Sequence, residues 1–176
     1  LIMVNESLRS ALLSETNVRQ SQLEKAKRRL QALRISMKGI ILHCNLHVRE
    51  HITPRLQTSK KKPAALLASV QSQRAFLITQ LLNIIESDMK SFIGGRVYNH
   101  LSEFRRIFYN LENVKTLEQE LSDLTNIQDL ANETIKTIEE VEEELEANIE
   151  RNAKTDANLD KTQKMKSFWD PTTWFN

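Results

Sequence analysis

The sequence predicts an all-α fold, an elongated helical bundle or coiled coil whose long helices lie in a hairpin or antiparallel arrangement. Three observations carry this. Residues 23–47 hold apolar side chains at alternating spacings of three and four, the period of a helix packed along its length. The chain of 176 residues has only three Gly and three Pro, and strand formers do not cluster. Its +2 net charge hides a split. Residues 1–110 carry 18 Lys/Arg and 7 Asp/Glu, and residues 111–176 carry 7 and 16. Halves of opposite sign neutralise one another when the chain folds back on itself.

The first segment, 1–52, reads as a basic heptad helix. Its seam is Leu23, Ala26, Leu30, Leu33, Met37, Ile40, Cys44 and His47. In a parallel homodimer Arg29 would face Arg34 of the partner, an unfavourable pairing of like charges. An acidic neighbour suits Lys27, Arg29 and Arg34 better. Before Leu23 the apolar register shifts by one residue, as at a heptad discontinuity. Thr53-Pro54 predicts the helix end, because a residue before proline avoids the helical region. Residues 53–62 then read as a basic linker, with Arg55 and Lys60-Lys61-Lys62 in solvent.

Pro63 suits the first turn of the next helix. Residues 63–93 form the most apolar stretch, an expected core helix covered on several faces. Gly94-Gly95 interrupts it. Residues 96–162 read as one amphipathic acidic helix. Val97, Leu101, Phe104, Phe108 and Leu111 begin its stripe, and Leu117, Leu121, Leu124, Ile127, Ala131, Ile135, Ile138, Val141, Leu145 and Ile149 continue it. Glu139, Glu142 and Glu146 belong to a glutamate cluster that would destabilise an isolated helix. The cluster becomes tolerable beside Lys27, Arg29 and Arg34. The assembly seam expected from both sides is therefore Leu23, Leu30, Leu33, Met37 and Ile40 against Ile135, Ile138, Leu145 and Ile149.

Residues 163–176 form an aromatic tail with both tryptophans. Phe168, Trp169, Trp174 and Phe175 fit either a bilayer interface or a groove on the bundle. No run of 18 apolar residues is long enough to span a bilayer. The single cysteine excludes an intrachain disulfide framework.

Four side chains, His43, Cys44, His47 and His51, are spaced so that two could share a metal. Cys44 and His47 already serve the seam, and only Glu50 is near enough in sequence to support a ring nitrogen, so no metal and no cofactor is expected. Histidines beside a seam also make assembly sensitive to pH. The chain has no nucleophile elbow, phosphate-binding glycine loop, Cys-x-x-Cys or HExxH motif, and an enzyme is not expected.

A long heptad helix, a break, a second amphipathic helix and the Trp-rich end Ser167–Asn176 resemble the ectodomain of class I viral fusion subunits. The paired-cysteine loop common in that family is missing. The resemblance implies a membrane-fusion subunit, the alternative reading. From the residues themselves, the expected function is a non-enzymatic coiled-coil scaffold or tether. Its partners would be further copies of itself or other helical proteins, and a membrane surface where the tail aromatics bind one. A nucleic-acid-binding helical protein ranks third, because the acidic half interrupts the basic face.

Overall fold

The computed structural model describes the backbone of residues 2–14, 20–58, 62–92 and 96–162, and the side chains of 6–14, 22–57, 62–92 and 96–151. Among the described residues the chain is an all-α bundle of packed helices. Its elements are α1 (Ile2–Ser14), α2 (Gln20–His47), α3 (Thr53–Thr58), α4 (Pro63–Ser69), α5 (Gln71–Ser91), α6 (Arg96–Asn110) and α7 (Leu117–Thr162).

The bundle is built around α2 and α7. None of the eight seam residues of α2 is more than 5% exposed. From α7, Leu117, Leu124, Ile127, Ala131, Ile138, Val141 and Leu145 are buried, with Leu121, Ile135 and Ile149 packed at the margin. Each fully buried Leu or Ile contributes about 1.5–3 kcal/mol of transfer free energy. The two helices are antiparallel: Lys27 pairs with Glu146, Arg34 with Glu142, and His47 with Glu120. On its other flank α2 packs against α5, also antiparallel, and Arg105 of α6 reaches Glu86 to set α6 antiparallel to α5.

Four element boundaries differ from those read in the sequence. Residues 1–52 are not one helix. A straight helix would set Arg9 about 27 Å from Lys27 along the axis. Instead Arg9 pairs with Glu140, six residues before the partner of Lys27. Helix α1 therefore runs opposite to α2 and packs on α6 and α7, with Leu8, Ala11 and Leu12 in the core. Ser7 meets His100 at 3.3 Å, and Arg96 donates to Ser10.

Pro54 does not end the helix. A π-turn over Val48–Ile52 leads directly into α3, and the N–H of Thr53 reaches back to the carbonyl of Val48. Proline clashes with the carbonyl four residues earlier, and a widened turn in that position relieves the clash. The linker is likewise shorter than expected. Arg55 is part-buried in α3, donates to the His51 carbonyl at 2.7 Å, and reaches the Ser69 hydroxyl at 2.9 Å, tying α3 to the end of α4.

The stretch 63–93 holds two helices. Val70, with φ −111° and ψ 12°, leaves the helical region between α4 and α5. The break lets α4 lean against α7. Residues 96–162 also hold two helices. A 3-10 turn over Leu111–Asn113 and an extended Val114 separate α6 from α7. No glycine or proline makes this break. The N–H of Gln119 donates to the Thr116 hydroxyl at 3.0 Å, and the Gln119 side chain accepts from the N–H of Lys115 at 2.8 Å, so reciprocal capping starts a new helix.

Replacing a seam leucine tests this arrangement. Leu30→Ala removes a buried side chain and should cost about 2–5 kcal/mol, a drop of roughly 5–15 °C in Tm for a domain of this size. Ile35→Ala, on the exposed side of the same helix, should change Tm by no more than a degree or two by thermal circular dichroism.

Candidate functional site: a buried charge network joining three helices

The last turn of α2, the first turns of α5 and the first turn of α7 meet at one end of the bundle. Each contributes one polar side chain to the interior: His47, Arg74 and Glu120. Glu120 is fully buried, yet both its oxygens are engaged. Arg74 Nε donates to Oε1, and His47 Nε2 lies 2.8 Å from Oε2. A second guanidinium nitrogen of Arg74 donates to the Leu67 carbonyl at 2.8 Å, which binds α4 to the same point.

Local sequence explains the positions. Glu120 follows the Thr116 cap, in the first helical turn, where the helix dipole favours a carboxylate. The spacing Leu117, Glu120, Leu124, Ile127 puts it on the apolar stripe. Arg74 takes a seam position of α5, four residues after Val70 and three before Leu77. Sequence reasoning missed both residues as a site. The available signal was a charge at apolar spacing, once on α5 and once on α7.

The environment of the network is dry, and its effects reach the neighbours. Burial holds the His51 imidazole below its ordinary pKa, with a further push from His47 and Arg55. The His47 and His51 rings stand 5.4 Å apart. Asp123, one turn along α7, is raised by burial and by Glu120. A groove of about 520 Å³ borders the outer side of Arg74, between α4, α5 and the turn at Glu112 and Val114.

The four side chains at metal-ligand spacing, His43, Cys44, His47 and His51, do not converge on a common point. His47 is committed to Glu120, and Cys44 faces the core, where burial pushes its thiol up to about 12 and away from the thiolate a metal needs. His43 and His51 are part-buried on α2 and the π-turn. Among the described residues no group of three or more His, Cys, Asp or Glu is arranged to hold an ion.

The charge complement is brought together in part. Lys27 meets Glu146, which holds its ammonium above the ordinary range, and Arg34 Nη1 lies 3.6 Å from Glu142. Arg29 turns toward α5 instead: its guanidinium lies 5.4 Å from the centre of the Phe92 ring and donates to the Ser91 carbonyl. Glu139 is exposed. Phe168, Trp169, Trp174 and Phe175 lie outside the described residues. Among those described, no helix is long and apolar enough to cross a membrane.

Comparison with protein-family models, with curated proteins and with solved structures gives no match for this chain. The network's donors and acceptors are turned on one another, an arrangement suited to clamping α2, α5 and α7 at one register.

Removing one partner of a buried ion pair strands the other. Glu120→Leu alone should cost about 3–5 kcal/mol in urea unfolding. The triple variant His47→Leu, Arg74→Met, Glu120→Leu should recover most of that loss, because an apolar replacement leaves no stranded charge. A triple variant no more stable than the single would show that the three groups do not act as one unit.

Proposed function

We propose that this protein is a non-enzymatic scaffold or tether that works by helix-to-helix assembly. The observation that carries the reading is the outward side of α2. Its basic inner flank is already occupied by α7 within the same chain, through Lys27 and Arg34. Ile35 and Leu42, one heptad apart, remain 69% and 56% exposed on the opposite side. Exposed apolar residues at heptad spacing suit a further helix.

The occupant proposed is a second copy of the chain. Exposed positions of α2 and the π-turn carry Lys25, Arg28, Lys38 and Arg49 against Glu24 and Glu50, so this side is positive. The exposed side of α7 carries Glu139, Glu143, Glu144 and Glu150. Two copies of one molecule thus offer complementary faces, and complementary faces favour docking in a fixed orientation. An acidic helix of another protein would meet α2 by the same chemistry. A membrane-proximal placement of the scaffold rests on the tail aromatics.

Sedimentation velocity over a concentration series tests this. The wild-type chain should associate at low salt and less at high salt, since exposed charges are screened. Ile35→Glu combined with Leu42→Glu should remain monomeric with an unchanged melting curve. A wild-type chain that stays monomeric at every concentration overturns self-assembly.

A further inference from the structure

A second polar group is buried in the bundle, away from the charge network. Asp88 on α5 is 6% exposed and faces α2, between Ile85 and Phe92 of its own helix. Ser36 of α2 hydrogen-bonds the carboxyl. The other oxygen, Oδ2, is buried with no hydrogen-bond partner among the described residues. An ionised carboxylate with an unpaired oxygen is among the costliest groups to keep in an interior, and a neutral one is far cheaper.

The charged groups around it do not compensate. From α2, Arg29 reaches the Ser91 carbonyl and the Phe92 ring, one turn beyond Asp88. From α6, Arg105 reaches Glu86 on the other flank of α5. On α5 itself, Lys90 is exposed. Contacts of α5 with α4 and with the 3-10 turn, which bears Glu112, lie toward the Arg74 end. The titration of Asp88 is governed by burial, which raises its pKa, with Ser36 lowering it in part.

We propose that Asp88 is a proton-controlled latch on the α2–α5 interface: protonated, it lets the α5–α6 hairpin close on α2, and ionised, it makes that contact the first part of the bundle to open. The proposal goes beyond the assembly reading and does not depend on it. Burial raises the Asp88 carboxyl from 3.8 to about 6. The folded state therefore holds the proton more tightly than the unfolded one. The latch is fully closed below about pH 4, loosens as pH rises through about 6, and stays loose above that. Most carboxylates of this chain act in the opposite sense, because ion pairs such as Arg34–Glu142 are lost in acid. A pH profile of the wild type alone would mix the two effects. The difference between wild type and Asp88→Asn isolates the latch, since asparagine keeps the shape and cannot ionise.

The experiment is amide hydrogen exchange on the full chain, wild type and Asp88→Asn, at about pH 8 and about pH 4, with intrinsic rates divided out. At the higher pH the variant should slow exchange by roughly tenfold or more in α5 and in the facing part of α2, since each pKa unit is tenfold in an equilibrium constant. At the lower pH the two proteins should agree within about twofold. Contacts of α1 with α7 should exchange alike in both. Equal exchange at both pH values overturns the latch. So does a difference of the same size at both, which would be an effect of the amide, or a difference spread evenly over all helices. Carboxyl carbon NMR of the wild type gives an independent reading. A midpoint near 6 for Asp88, tracked by shifts of α5 amides, supports the proposal, and an ordinary carboxylate midpoint overturns it.

Discussion

Everything in this bundle depends on the burial of one side of α2 against α7. The eight seam residues of α2 are removed from water almost completely, and seven buried apolar positions of α7 meet them or the helices beside them. That contact is long because no proline falls within it and α2 continues unbroken through Gly39. It is also undirected, since an apolar stripe repeating every seven residues can slide by a heptad at modest cost. Two further features fix direction and register. Surface ion pairs contribute little stability, about 0–1 kcal/mol each. Their consistent sign nevertheless favours the antiparallel arrangement, in which the basic first half of α2 lies beside the glutamates of α7. Register is then set by Glu120. A slip of one heptad would separate its carboxylate from Arg74 and His47 and strand charges in a dry interior, a penalty several times larger than any surface pair.

The same reasoning explains why the chain breaks where it does. Helix α7 starts at the Thr116 cap, so Glu120 arrives in a first turn whose exposed N–H groups favour a carboxylate. The break at Val70 turns α4 so that the Leu67 carbonyl accepts from Arg74. The π-turn before Pro54 carries the chain past the proline, and Arg55 then fastens α3 to α4. These interruptions converge on one end of the bundle, around one carboxylate.

What could be read from sequence was whatever depends on a single helix. The heptad stripe of Leu23–His47 and the stripe of Leu117–Ile149 are local periodicities; the structure buries the first throughout and most of the second, leaving Leu121, Ile135 and Ile149 at its margin. The all-α class follows from the same periods. Reversals were harder to read. The turn-back of α1 is announced only by a one-residue shift in register, which a heptad discontinuity in a straight helix would also produce. The α6–α7 break was legible in principle, because Thr116-Leu-Glu-Gln119 is a capping box, but a continuous apolar stripe on both sides masked it. The polar interior was harder again. Arg74, Asp88 and Glu120 look like solvated charges until a partner helix is known to cover them. Only their apolar spacing sets them apart, and that spacing does not say which charge meets which.

The α2–α5 interface therefore has unlike ends. At one, Arg74 is held by Glu120 and by the Leu67 carbonyl, so α5 is bonded to both α7 and α4. At the other, Asp88 has one hydrogen bond from Ser36 and one oxygen with none, and one turn further on Arg29 makes an exposed contact with the Ser91 carbonyl and the Phe92 ring. The two ends are fourteen residues apart, about 21 Å along the helix. Between them the contact is apolar and resists separation in proportion to the area it covers, with no directional bond to break. A helix held this way does not leave its neighbour as a rigid whole. It opens from the end where a buried charge gains water and stays fixed where leaving would strand one. The clamp at Glu120 thus acts as the pivot, and the carboxyl of Asp88 marks the end that opens, where the remaining tie, Arg29 to the Ser91 carbonyl, is exposed to water and costs little to exchange.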